Sequence, residues 1–279
     1  MQSQDFGSLD EANDFLQRFA GVGKIPVVEK HDPLEQAQDV MYEAWNAEGK
    51  RRVELARKAL TISPDCADAY VLLAEETATS VREARKLYEE GVKAGERALG
   101  PQTFEEEAGQ FWSMIETRPY MRAREGLAQV LWALGEKREA AGHFREMLRL
   151  NPNDNQGIRY FLARLLLELG ADKELGELLG QFKDDAMAEW NYMRALRQFR
   201  RSGAGDEANR LLKRAIKQNR FVPHYLLGTR KMPARLPETM GWGDENEAIA
   251  YAADNLRYWQ ETRGALAWLY DTIHRGRAV

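Results

Sequence analysis

The sequence predicts an all-α chain: a right-handed α-solenoid of stacked helical hairpins, closed at its C-terminal end by a helical cap that does not follow the repeat. Three observations carry this. A 34-residue unit, residues 121–154, is followed by segments that repeat its pattern, the first of them with a one-residue slip. Small residues fall where the two helices of a hairpin must approach closely. Asn-Pro and Ser-Pro pairs stop one helix just before the next begins. "LRLNPNDNQGIRYFLARLLLELG", residues 148–170, contains such a junction. Pro152 has no N–H and crowds the preceding turn, so a helix ends there. Asn153, Asp154 and Asn155 then offer side-chain oxygens to the free N–H groups of the next helix.

Taken in chain order, residues 1–30 read as a helix capped by Ser8 with Glu11 and running to about Ala20, followed by the irregular linker "GVGKIPVVEKHDP". Residues 31–100 read as degenerate repeats. Ala56 and Ala59 take close-packing sites ahead of a stop at Pro64, then Tyr70, Leu73 and Ala74 lie on one helix and Ala84 and Tyr88 on the next.

Residues 101–220 carry the clearest units. In the first, Leu127, Ala128, Leu131, Gly135, Ala140, Phe144 and Pro152 occupy the spacing of a tetratricopeptide repeat. Ala128 and Ala140 let the helices approach, Leu127, Leu131 and Phe144 fill the gap, and Gly135 supplies a permissive turn backbone. The second unit, with a one-residue slip, places Leu162, Ala163, Leu166 and Gly170 before Leu175, Leu179 and Phe182. The third places Tyr192 and Phe199 before Ala208, Leu212 and Ala215. In residues 221–279, Pro223, Pro233 and Pro237 among glycines predict a loop, and "NEAIAYAADNLRYWQETRGALAWLYDTI" predicts two capping helices broken near residues 262–264.

Composition narrows the functional classes. The chain has 279 residues, 44% of them hydrophobic, enough for a large core or a long repeat stack. Charged residues make up 30%, yet the net charge is only −4, which argues against a surface built to coat nucleic acid. The single Cys66 excludes an intramolecular disulfide and reads as a small buried hydrophobe in a reducing compartment. With no basic, apolar start and no run of ~20 apolar residues, the expectation is a cytoplasmic protein without membrane contact.

Motifs for chemistry fail one by one. "FAGVGKI" lacks the first glycine and the Ser or Thr of a phosphate loop. "GWGDEN" ends in Asn246 where a dinucleotide fingerprint needs glycine, and reads instead as a turn with Asp244 capping a helix. His31, His143, His224 and His274 have no metal-ligand spacing, and residues 105–107, all Glu, read as a solvated face. No cofactor, no metal and no enzymatic activity are expected.

Together, "ETRPYMRAREGLAQVLWALGEKREAAGHFREMLRLNPNDNQGIRYFL", "NRFVPHYLL" and "GDENEAIAYAADNLRYWQETRGALAWL" resemble the tetratricopeptide-like core of the suppressor of tumorigenicity seven family and its bacterial relatives. The likeness covers roughly residues 111–270. It implies the helical-repeat fold and carries over no catalytic motif.

Charge distribution points to a surface. Residues 118–231 hold 22 basic and 14 acidic residues, and residues 194–220 hold nine basic residues against Asp206 and Glu207. Projected onto a repeat groove, the inner positions are Arg122, Gln129 and Trp132 from the first unit. Tyr160 and Arg164, with Arg159 as the slipped alternative, come from the second, and Trp190, Arg197 and Arg200 from the third. Guanidinium groups beside aromatic rings suit an acidic or extended peptide of an unidentified protein partner. A solvated arginine face with core tryptophans would produce the same pattern. The second functional reading is binding of RNA or another polyanion by residues 194–220, with steep salt dependence.

Overall fold

The computed structural model describes residues 32–275, and every regular element among them is helical. The readings at Ser8 and Glu11, at "FAGVGKI" and at His31 lie outside the described residues. Five hairpins follow one another: α1 (Pro33–Asn46) with α2 (Gly49–Ile62), α3 (Ala67–Thr77) with α4 (Val81–Glu106), and α5 (Arg118–Ala133) with α6 (Lys137–Leu150). Next come α7 (Ile158–Leu169) with α8 (Asp172–Gln181) and α9 (Ala188–Ser202) with α10 (Asp206–Gln218). A single turn, α11 (Val222–Leu226), interrupts the stretch expected to be loop; Pro223 is tolerated there because the first turn of a helix needs no N–H. Helices α12 (Glu245–Glu261) and α13 (Ala265–Arg275) close the array.

The breaks are made by the expected chemistry. Helix α6 ends at Leu150, just before Pro152. Of the three capping candidates that follow, only Asp154 acts: its carboxylate accepts the N–H groups of Ile158 (2.7 Å) and Arg159 (3.0 Å). Its φ of +50° is a conformation Asp tolerates better than most residues. Gly135 turns α5 into α6 at φ +84°, where a β-carbon would be strained. Asp244 caps α12 by accepting from Glu247 N at 2.8 Å.

Side chains interlock between hairpins. Phe144 is fully buried, edge-on to Trp132 (6.4 Å) and stacked on Phe161 of the next hairpin at 5.7 Å. Ala128 and Ala140 are inaccessible, as close helix packing requires. A β-carbon at Gly126 would collide with the Tyr88 ring, so α4 and α5 approach as closely as they do only with glycine there.

Successive hairpins meet through the second helix of one and the first helix of the next, α2 with α3, α4 with α5, α6 with α7 and α8 with α9, and first helices also touch directly where α1 meets α3, α3 meets α5 and α7 meets α9. The first helices form the inner layer. Helix α12 joins that layer against α9, and α13 packs on α10, so the closing pair continues the stack. One apolar cluster runs from Val71 and Val92 to Leu269, and a smaller one lies under α1 to α3. No helix among the described residues is long and apolar enough to cross a membrane.

Candidate functional site: the inner cleft between α5, α7 and α12

The run "FLARLLLEL" contains two charged residues, Arg164 and Glu168, four apart and so on one face of α7. That face is the floor of a cleft of about 790 Å³. Gln129 and Trp132 of α5 stand on one side, Asp254, Arg257 and Tyr258 of α12 on the other, with Phe161 and Lys137 completing the lining. A second cleft of about 430 Å³ adjoins it, shares Phe161, Arg164 and Asp254, and continues over Arg159, Tyr160, Glu189 and Tyr251. The two form a single inner channel.

Glu168 organises the larger cleft. It accepts from Trp132 Nε1 (3.0 Å), Lys137 Nζ (2.8 Å), Tyr258 OH (2.7 Å) and Arg257. Burial raises its carboxyl, but these donors outweigh burial and hold it below the ordinary carboxylate range. At the other end, Arg164 is 9% exposed and pairs with Asp254, and its Nε lies 3.9 Å from Glu189 Oε1.

Glu189 has a different environment. Burial pushes its carboxyl up to about 7, against the pull of Arg164 and the bond from Asn255 (2.6 Å); the neighbouring carboxylates of Asp254 and Asp185 push the same way as burial. The folded protein therefore holds this proton more tightly than the unfolded chain does. The associated stability is fully present below about pH 4.5 and is lost as pH rises through about 7. Melting temperatures measured from about pH 5 to about pH 8 should fall more steeply for the native chain than for Glu189→Gln. Identical slopes would assign the pH dependence elsewhere.

The predicted site residues separate into three groups. Gln129, Trp132, Arg159, Tyr160 and Arg164 line the inner channel. Arg122 faces the earlier hairpins, gripping the buried Asp68 through two bonds of 2.7 and 2.6 Å and lying 5.2 Å from the centre of the Trp45 ring. Arg200 is exposed, lines a separate cleft with Glu168 and Tyr258, and donates to Leu167 O at 3.3 Å.

Trp190 and Arg197 require correction. Trp190 is fully buried, edge-on to Tyr160 (5.7 Å) and Phe182 (6.0 Å). Arg197, seven residues on and so on the same stripe of α9, turns to α8, bonding Asp172 O and Oδ2 at 3.1 Å each. That stripe packs the hairpins together rather than lining the channel.

The arginines are also less available than expected. Arg159 bonds Asp185 (2.7 Å), Asp154 (2.8 Å) and Tyr160 OH (2.7 Å), so each guanidinium in the channel already has a carboxylate partner within the chain. The residues missed by sequence reasoning are Glu168 and the α12 wall. Glu168 left a signal as an acid within an apolar run. Asp254, Arg257 and Tyr258 left none, since nothing local places them against α7.

Burial pushes the His143 imidazole down to about 4, so it is neutral at ordinary pH. Cys66 is buried, and burial raises its thiol to about 12, which makes it a poor nucleophile. Among the described residues no group of three or more His, Cys, Asp or Glu side chains could hold a metal ion.

Stacked helical hairpins with a lined inner channel define this chain as a helical-repeat protein with a tetratricopeptide-like architecture. The model of the ST7 protein family matches residues 26–200, and the chain belongs to that family. The "Suppressor of tumorigenicity 7 protein-like" proteins of Homo sapiens and Gallus gallus are 31% and 30% identical over 264 residues. Each alignment covers 86% of this chain, but 46% of the human protein and 47% of the chicken one. "Protein ST7 homolog" of Drosophila melanogaster is 29% identical over 267 residues, covering 86% of this chain and 49% of its own length. The chain thus spans about half the length of the curated relatives it matches. Among solved structures, YrrB, "a TPR protein with an unusual peptide-binding site", aligns with 68% of this chain and 87% of its own at a TM-score of 0.49 and 19% identity.

Proposed function

We propose that the chain is a non-enzymatic interaction scaffold whose inner channel holds an extended or helical segment of a partner protein. The observation that carries the reading is the channel itself: first helices from successive hairpins and α12 enclose a continuous groove with aromatic walls at Trp132, Phe161 and Tyr160. Aromatic surface supplies contact area, and the paired charges on the floor and walls supply orientation. Because the channel arginines are already neutralised by Asp154, Asp185, Asp254 and Glu168, recognition there rests on shape and aromatic contact more than on an acidic ligand.

Site-specific photo-crosslinking tests this. A photoreactive residue replacing the exposed Gln129, on the channel wall, should capture a discrete partner in cells, and one replacing the exposed Arg145 on α6 should not. Equal capture from both positions would remove the channel as the binding surface.

A further inference from the structure

Of the nine basic residues between Arg194 and Arg220, five are occupied within the fold. Arg194 donates to the carbonyls of Leu179, Phe182 and Lys183 at 2.9–3.1 Å. Arg197 and Arg201 take Asp172, Arg200 takes Leu167 O, and Arg210 takes Glu207. The remaining four are Lys213, Arg214, Lys217 and Arg220. All are exposed, and among the described residues none makes a side-chain hydrogen bond or ion pair; Arg220 only lies 5.1 Å from the centre of the Phe221 ring.

Their spacing places Lys213 and Lys217 on one stripe of α10, about 6 Å apart at 1.5 Å per residue, with Arg214 beside it and Arg220 in the turn just after the helix. At one end, Arg214 shares a shallow cleft with Lys183. At the other, Arg220 and Arg230 flank Phe221 at the mouth of a cleft of about 350 Å³ floored by Ile216, Pro223 and Ile273. The acids of α10, Asp206 and Glu207, lie in its first turn, away from that end.

We infer that the exposed face of α10 is a second docking surface, distinct from the inner channel, for an acidic protein segment with an apolar side chain that enters the cleft at Phe221. Charge complementarity selects the class of partner. Four cations with no partner among the described residues give up no internal ion pair when carboxylates arrive, whereas the channel arginines would have to exchange one carboxylate for another. The apolar floor favours a protein over RNA, since a phosphate chain has no use for Ile216, Pro223 and Ile273 beneath its contacts. The chain as a whole is also acidic, which disfavours a nucleic-acid partner.

Fluorescence anisotropy decides between these. The probes are a labelled peptide alternating Glu with Leu and a labelled oligouridylate of equal charge, each titrated with the full chain at low salt and at about 0.5 M, where exposed charges are screened. The peptide should bind at low salt more tightly than the oligouridylate. Lys213→Glu with Lys217→Glu should weaken it at least tenfold, and Ile216→Asp should weaken it further. Thermal melts establish that each variant is folded; if Ile216→Asp is not, Arg220→Glu replaces it, since that side chain is exposed. Tighter binding of the oligouridylate would overturn the assignment to protein, and binding of the peptide unchanged by the Lys pair, or no binding of either probe, would overturn the surface. Crosslinking from Gln129 is independent of all three results, so failure here leaves the channel reading standing, and the reverse.

Discussion

Truncation of Trp190 to alanine should destabilise the chain by about 3–5 kcal/mol, the range for removing a large aromatic side chain from a packed core. The indole is inaccessible and wedged between Tyr160 of α7 and Phe182 at the end of α8, so its removal opens a cavity where the fourth and fifth hairpins meet. Trp190→Phe should cost much less. Its Nε1 is buried without a hydrogen-bond partner, so the smaller ring removes an unmet donor as well as some volume. Urea unfolding of the three proteins measures this. A native-like Trp190→Ala would contradict the core assignment and return the residue to the list of surface candidates.

The second large effect is expected at Glu247, a residue with no precedent in the repeat pattern. Its carboxylate is 3% exposed and accepts three N–H groups, from Ala188 N, Gly243 N and Asn219 Nδ2, each at 2.8 Å. One acid thereby ties the start of α9, the end of the Pro/Gly-rich loop and the turn after α10 to the first turn of α12. Glu247→Ala leaves those donors without a partner and should cost about 2–5 kcal/mol. Because α12 forms one wall of the inner channel, the same substitution should lower crosslinking from Gln129. Glu247→Gln, which keeps one acceptor oxygen, should recover part of both. A variant that loses stability but keeps full crosslinking would separate the wall from the binding surface.

Elements and their ends were legible in the sequence where they depend on neighbours along the chain. The stop at Pro152, the turn at Gly135, the cap by Asp244 and the close-packing alanines at 128 and 140 all follow from backbone chemistry within a few residues. The candidate site was legible only in part. Trp132 and Arg164 line the channel, but Trp190 and Arg197 were projected onto it from a third unit whose helical phase differs from the first. A rotation of one residue, 100° around the helix, carries a side chain from the inner face to the packing face, and repeat spacing alone does not resolve that angle.

The sequence by itself determined that this chain is a stack of helical hairpins of the ST7 family kind, because caps, helix breakers and apolar periodicity act over a few residues at a time. Only the tertiary structure decided that α12 returns, some 90 residues after α7, to wall the channel. It alone decided that the channel arginines are spent on internal carboxylates, while Lys213, Arg214 and Lys217 on the outside of α10 have no partner among the described residues. Those outcomes depend on the cumulative rotation from one hairpin to the next, a sum of many small packing contacts that no short stretch of sequence encodes.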